Sequence, residues 1–357
     1  MQRKLASIQV IESIAPIASA DAIEQARVLG WTVVVKKGEF APGDRCVFFE
    51  IDALLPDGAP WAEFMRPRDF RVKTVRLRGV LSQGLALPLF AFCDGGSHDG
   101  AAFDVCCTTK LTTLDVDTDV TEILGVTKYE APEYNSGGPN RVKANGGIPF
   151  PARVPKTDEI RLQSVMSVLH ELRGKPFVVT TKLDGSSATF FRDLDGTLVV
   201  ASRKWSQPYD ADNAWWKVAE RYNLAELLPM GMVLQGELCG PSIQRNRLML
   251  SDYDVFMFNA YDVVNGRYLD HFEFVELCER VGAKTVPIDM VVQGTQAESF
   301  EHTLDGWLER AKGIYAGTKN RREGIVVRPL VETHSPRLKG RLSFKVINNE
   351  FLLKDEV

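Results

Sequence analysis

TKLDGSS, residues 181 to 187, joins an apolar strand, FVVT (177–180), to a turn that forms at Asp184 and Gly185. A lysine at the end of such a strand is placed to react. A free lysine titrates near 10.4, so only about one in a few thousand is neutral at pH 7. Its use as a nucleophile therefore requires nearby cations, a metal or burial. Taken alone, KLDG also fits a hairpin turn with an exposed lysine, and the rest of the chain has to decide.

Downstream, strand patterns alternate with helical ones. The strands are ATFFRD (188–193), TLVVASR (197–203), MVLQGEL (232–238), VFMFNAYDVV (255–264), GIVVRPL (324–330) and RLSFKVI (341–347), with helices around 213–228, 271–281 and 300–314. This is an α+β layout. In PKTDEIRLQSVMSVLHELRG, Thr157 or Asp158 caps an expected helix whose apolar positions Ile160, Leu162, Val165, Val168 and Leu169 lie near one face.

Upstream the pattern changes. VLGWTVVV (28–35), the turn KKGEFAPGD, CVFFEIDALLP (46–56), RVKTVRLRG (71–79) and GLALPLF (84–90) are short strands broken by turns, the spacing of a small β-barrel. Arg66, Arg68, Arg71, Lys73, Arg76 and Arg78 recur at near-alternate positions between Val72, Val75 and Leu77, which predicts one basic face. Their parity changes between Lys73 and Arg76, so a kink is expected near Thr74. The polar stretch 131–155 holds four glycines and five prolines without periodicity and reads as linker. The expected organisation is a barrel domain at 1–125, a linker at 126–155 and a second domain at 156–357. A length of 357 residues suits two modules.

Composition removes several classes of function. With 45% apolar and 25% charged residues the chain can bury a sizeable core and leaves no room for a large disordered fraction. A net charge of -4 argues against a uniformly basic coat while leaving local patches open. No apolar run approaches the roughly 18 to 20 residues that span a bilayer, so no membrane role is expected. Cys46, Cys93, Cys106, Cys107, Cys239 and Cys278 show no CxxC spacing, and MQRKLASIQV carries no signal-peptide core, so reduced thiols and a cytoplasmic location are expected. The absence of GxxxxGK[ST] and HExxH removes P-loop and zincin readings. His98, His170, His271, His302 and His334 form no cluster.

Lys182-Leu183-Asp184-Gly185 resembles motif I of the covalent nucleotidyltransferases, the superfamily of ATP- and NAD-dependent ligases and mRNA capping enzymes. Collinear companions follow: Ser202-Arg203 resembles motif Ia, Glu237-Leu238-Cys239-Gly240 motif III, Tyr261-Asp262 motif IIIa, Glu323-Gly324-Ile325-Val326 motif IV, and Lys345 in SFKVI motif V. Each is weak alone and each stands at an expected strand end or turn; together they are strong. The resemblance implies that Lys182 attacks the α-phosphate of ATP and that Arg203 and Lys345 contact phosphates. It implies that Glu237 and Glu323 hold Mg2+ or Mn2+ directly or through water, with Asp184 meeting the ribose or metal waters beside the Gly185 turn. Tyr261 would stack on adenine, and Arg328 is a secondary candidate. Relatives often carry KxK in motif V, whereas Ser343 and Ile347 flank Lys345 here.

Twelve residues follow Lys345, so an OB module is expected before the lysine and none after it. In that arrangement, and in the segments VLGWTVVVKKGEF, FFEIDALLP, RVKTVRLRG, SQGLALPL, PKTDEIRLQ and SFKVINNEFLLK, the chain is similar to the fifth RNA ligase family, the deinococcal type, thinning over 93–155. The resemblance implies an OB-like barrel followed by a nucleotidyltransferase domain of antiparallel sheets with flanking helices. It implies an ATP-dependent RNA ligase that repairs 3'-OH/5'-phosphate nicks in duplex RNA or RNA/DNA hybrid through lysyl-AMP, as a monomer. Arg71, Lys73, Arg76 and Arg78 are then expected to hold the phosphates of the nick. Two other readings stand beside it: an ATP-dependent DNA ligase, and a non-catalytic OB-type RNA-binding protein, against which Lys182, Glu237, Glu323 and Lys345 speak.

Overall fold

The structure, a computed structural model, describes residues 3–18, 20–92, 111–130 and 148–353. Cys93, His98, Cys106, Cys107, Lys354 and most of the expected linker lie outside the described residues. Contacts divide the chain into two compact units, one made of residues up to 131 with 163–166, the other of 132–162 and 167–355.

The first unit carries β1 (Ala6–Val10), β2 (Ser13–Pro16), β3 (Ile23–Val28), β4 (Trp31–Lys36), β5 (Arg45–Phe49), β6 (Ala53–Leu54), β7 (Thr74–Leu77), β8 (Val80–Gln83), β9 (Leu85–Pro88) and β10 (Thr127–Lys128). They pair as β1-β5-β9, β2-β3-β4, β7-β8 and β10-β6. In β4 Trp31, Val33 and Val35 are buried while Thr32 and Val34 are only partly covered, the period of two that a sheet imposes. The core gathers Ile8, Val47, Phe49, Met65, Phe70, Val72 and Leu87.

The expected basic strand is divided. Arg66 and Arg68 end a 3-10 helix, Pro60–Arg68, and the strand proper begins at Thr74, the residue where the kink was expected. Thr74 is buried against Gln83. Arg78 and Gly79, at φ 49 and 84, turn the chain into β8. Two successive left-handed residues match the right-handed twist of a tight hairpin.

The second unit contains β11 (Ile160–Arg161), β12 (Phe177–Lys182), β13 (Ser186–Arg192), β14 (Leu198–Ala201), β15 (Met232–Cys239), β16 (Asp254–Asp262), β17 (Arg267–Tyr268), β18 (Lys284–Thr285), β19 (Ile288–Val292), β20 (Gly324–Pro329), β21 (His334–Ser335), β22 (Gly340–Arg341) and β23 (Phe344–Ile347). One sheet runs β11-β23-β20-β12-β19 and the other β14-β13-β15-β16-β17, with β18 also on β16. All pairings are antiparallel except β11 with β23 and β16 with β18. Helices α1 (Val168–Leu172), α2 (Ala214–Arg221), α3 (Leu224–Leu227), α4 (His271–Val281), α5 (Gly294–Ser299), α6 (Leu304–Ala311) and α7 (Asn349–Leu352) complete it. Trp215 and Val218 of α2 and Phe274 and Leu277 of α4 bury against Leu234, Leu238, Val255 and Met257, so the apolar stripes of these helices cover one face of the second sheet.

The helix expected from Thr157 does not form there. Ile160 and Arg161 pair in parallel with Phe344 and Lys345, Leu162–Ser164 is a 3-10 turn, and helix starts only at Val168. Ile160 and Leu162 satisfy a strand's period of two as well as a helix's, and a partner strand from the far end of the chain wins. Around 213–228 one helix becomes two, because Asn223 turns left-handed at φ 47.

Candidate active site

β12 is buried from Phe177 to Thr181 and delivers Lys182 at its end. The Nζ of Lys182 donates to Oε2 of Glu323 at 2.6 Å, an ion pair with both side chains partly buried. Glu323 directly precedes β20, whose first residue, Gly324, pairs with Lys182. Gly324 lies at φ 153, and a Cβ there would stand 2.1 Å from the carbonyl oxygen of Val346, so the carboxylate is carried on a position that only glycine can follow.

Glu237 arrives from the other sheet. It accepts from the backbone N–H of Gly185 at 3.0 Å, which closes the turn after the lysine onto β15. A Cβ on Gly185 would meet the carbonyl oxygen of Leu238 at 2.4 Å and the Cγ of Glu237 at 2.9 Å. Gly185→Ala should therefore cut ATP-dependent labelling of the protein at least about 10-fold, because an ångström of displacement at a reacting group costs on the order of 100-fold. Labelling at the wild-type rate would show that the turn is not needed. Asp184 is held by Nε of Arg247 at 2.6 Å, and the Arg247 guanidinium lies 4.5 Å over the ring of Phe351.

The electrostatics differ from the expectation that a nucleophilic lysine is depressed. Burial pushes the Lys182 amine down, but the charges of Glu323, Glu237 and Asp184 outweigh it and raise the pKa above the ordinary value. Burial pushes Glu237 up to about 7, Lys182 opposes that and Glu323 adds to it. Asp184 also reaches about 7, through burial and the Glu323 charge, with Arg247 opposing. One amine thus faces three carboxylates, Asp184 two residues away and Glu237 and Glu323 from distant parts of the chain. Among the described residues no three His, Cys, Asp or Glu side chains form a ready-made metal cage. Mg2+ does not require one, since it keeps several waters and takes one or two carboxylates together with phosphate oxygens.

The remaining expected residues fall into two groups. Lys345 pairs with Val326, which pairs with Thr180 two residues before Lys182, so Lys345 and Lys182 stand on the same sheet face. Arg203 is bound by Asp158, with bonds of 2.6 and 2.8 Å on a half-exposed surface. Tyr261 is not brought to Lys182. It pairs with Val233, four positions and roughly 13 Å along the strand from Glu237. Its ring meets that of Tyr268 at 5.0 Å and packs with Phe191 and Val233. Phe256 of the same strand stands nearer the site: it pairs with Glu237 and, with Phe258, packs against Leu183, Cys239 and Tyr315. The motif-like Tyr-Asp pair drew the sequence reading five residues further along β16 than Phe256, although VFMF already offered aromatics nearer the carboxylate.

Arg328 is buried and bonded to Ser343 Oγ, the carbonyl of Phe258 and Glu159, so it holds the sheet together. Burial raises Glu159, but Arg328 and Arg341 outweigh burial and keep it below the usual carboxylate range. In the first unit Arg71 donates to Asp52 at 2.8 Å and lies 3.7 Å over the ring of Tyr129, which ties it to its own domain. Lys73, Arg76 and Arg78 are exposed. Arg247, Phe256 and Tyr315 are neighbours of the lysine that sequence reading missed; they follow no motif spacing, strand register bringing in Phe256 and loops bringing in Arg247 and Tyr315.

Residues 175–347 match the RNA ligase family, and residues 5–89 match an OB-fold domain. A Naegleria gruberi RNA ligase variant solved with ATP and Mn is 34% identical over 98% of both chains, with a TM-score of 0.82. The chain belongs to the RNA ligase family. Naegleria gruberi RNA ligase with pyrophosphate is 35% identical over 99% of both chains, and a variant with AMP and Mn is 35% identical over 98% of both, each with a TM-score of 0.82. No curated protein matches the chain. The architecture of this RNA ligase is accordingly α+β, an N-terminal OB-fold domain followed by a nucleotidyltransferase-type ligase domain.

Proposed function

We propose that this RNA ligase seals 3'-OH/5'-phosphate nicks in duplex RNA or RNA/DNA hybrid, using ATP and Mg2+ or Mn2+ through an AMP carried on Lys182. One observation supports it above the others: a strand-end lysine 2.6 Å from Glu323 and within the fields of Glu237 and Asp184. In the first step the Nζ lone pair forms a bond to the α-phosphorus of ATP and pyrophosphate leaves. In the second a 5'-phosphate oxygen takes the AMP from the lysine. In the third the 3'-OH attacks that activated phosphate and AMP departs.

Before the first step the amine must lose a proton, and its carboxylate neighbours oppose that loss. Glu237 and Glu323, with Asp184, are the residues that would hold a divalent ion; when bound, it supplies positive charge that offsets the carboxylates and the phosphates. Lys345, on the same sheet face, and Arg203 are the cations for phosphate. Phe256 offers the base a ring, which holds a purine without reading its identity.

Sealing is tested on two nicked duplexes that differ only in the terminal 2'-OH at the 3'-OH side. The ribose end should be joined faster, and preference for the deoxyribose end would instead mark a DNA ligase. For the OB-fold domain, we place the nick's phosphates against the β7–β8 hairpin, on Lys73, Arg76 and Arg78. Replacing these three by Gln should weaken binding to nicked duplex about 10- to 100-fold and lower the salt slope of log K by roughly 3, with adenylylation of Lys182 unchanged. An unaltered salt slope would remove the hairpin from the interface. We place the ligase in the cytoplasm as a monomer. Cys46, Cys239 and Cys278 are free, buried thiols, and among the described residues no helix is long and apolar enough to cross a membrane.

A further inference from the structure

Beyond the last pair of β12 and β20, Lys182 with Gly324, the two chains part. Leu183 leads into the turn at Asp184, whereas Glu323 arrives from a short loop that closes on itself. In that loop the N–H of Tyr315 donates to the carbonyl of Asn320 at 3.0 Å, and the N–H of Arg322 donates to that of Gly313 at 3.0 Å. The Lys182–Glu323 contact of 2.6 Å is thus made where the ladder itself ends. The carbonyl of Glu323 is held by the backbone N–H of Asn348 at 2.8 Å, so a further tie from Glu323 to the chain of Lys182 has to come from outside the ladder.

The hydroxyl of Tyr315 stands at that point. It donates to the carbonyl oxygen of Lys182 at 3.2 Å and accepts from the backbone N–H of Glu323 at 3.0 Å. One oxygen therefore touches the main chain of both the amine's residue and the carboxylate's residue. The ring is 2% exposed and packed with Leu183, Cys239 and Val286, so the oxygen has little freedom to move. Burial and the Glu323 charge push the phenol well above its ordinary pKa, which keeps the proton it donates.

We propose that Tyr315 is a positioning residue for lysine adenylylation, its hydroxyl fixing the separation of Lys182 and Glu323. Its hydrogen bonds go to main-chain atoms alone, and it acts through the two backbones. Supporting groups of this kind set a reacting constellation within a fraction of an ångström. This inference rests on the reading of Lys182 as the residue that takes AMP.

The test is Tyr315→Phe, which keeps the ring and removes only the oxygen, assayed with labelled ATP and Mg2+ in single turnover beside wild type and Lys182→Ala. The maximal labelling rate should fall about 10- to 100-fold, with the half-saturating ATP concentration within about 3-fold of wild type and the melting temperature within a few degrees. Wild type and Tyr315→Phe labelling at one rate would overturn the positioning role alone. An unlabelled wild type would remove it together with the adenylylation reading. A loss that appears only as weaker ATP binding, or only in step with unfolding, also overturns it. Hydrogen exchange on the wild-type protein gives a check that needs no variant: the Glu323 amide should be protected like that of Val326 within β20, and exchange at the rate of an open loop would refute the bond.

Discussion

Lys182→Ala, incubated with labelled ATP and Mg2+ or Mn2+ and run on a denaturing gel, should carry no label, while the wild-type band does. The loss should exceed about 10,000-fold, because Lys182 supplies the attacking amine and nucleotide transfer depends almost entirely on position and charge. The variant should still fold. Without the ammonium, Glu237 and Asp184, already near 7, lose a cation that held them down and take up protons more readily, so the pocket sheds charge without opening. Far-UV circular dichroism and the melting curve check that point. Mass spectrometry of the wild type should place one AMP on the peptide containing residue 182. A label that persists in the alanine variant would move the chemistry elsewhere.

Arg322→Ala should cost about 3 kcal/mol of stability, the upper end of the roughly 1.5–3 kcal/mol that hydrogen bonds made by a charged group are worth. Arg322 is 9% exposed and holds both oxygens of Asp289, at 2.7 and 2.8 Å. It also donates to the carbonyls of Arg310, Ala311 and Lys312, where α6 ends and its last C=O groups have no partners within the helix. Removing the guanidinium leaves the helix-end carbonyls without their donor, while the exposed carboxylate of Asp289 can turn to water. The ligase domain's melting temperature should drop by roughly 6–12 °C. Arg322→Lys should recover only part of it, since an ammonium has no planar fork to span both partners. Asp289 also accepts from Thr181 Oγ1, beside Lys182, so adenylylation should fall as well. An unchanged melting temperature would show that water substitutes for the guanidinium.

Local pattern made much of this molecule legible. The strand ends at TKLDG, GELCG and EGIVV are marked by apolar runs that stop at charged residues and glycines, and the helix expected around 271–281 is α4. What local pattern could not show depends on register. Arg328 resembles a surface charge until Glu159 arrives from 169 residues away. Arg71 resembles a phosphate ligand until Asp52 and Tyr129 claim it. Tyr261 and Phe256 share one strand, and only the pairing of β15 with β16 tells which of them stands beside Glu237. The raised amine of Lys182 was equally hidden, because the two largest charges that raise it, Glu323 and Glu237, belong to residues far along the chain.

The span of 141 residues between Lys182 and Glu323 has a consequence for the protein's birth. A growing polypeptide with Lys182 already outside the ribosome has no partner for it until the segment around residue 323 has emerged and folded back beside it. Contacts so remote in sequence form late, since a long loop must close first. Newly made chains would then remain inert toward ATP through most of translation and acquire reactivity only when the ligase domain closes.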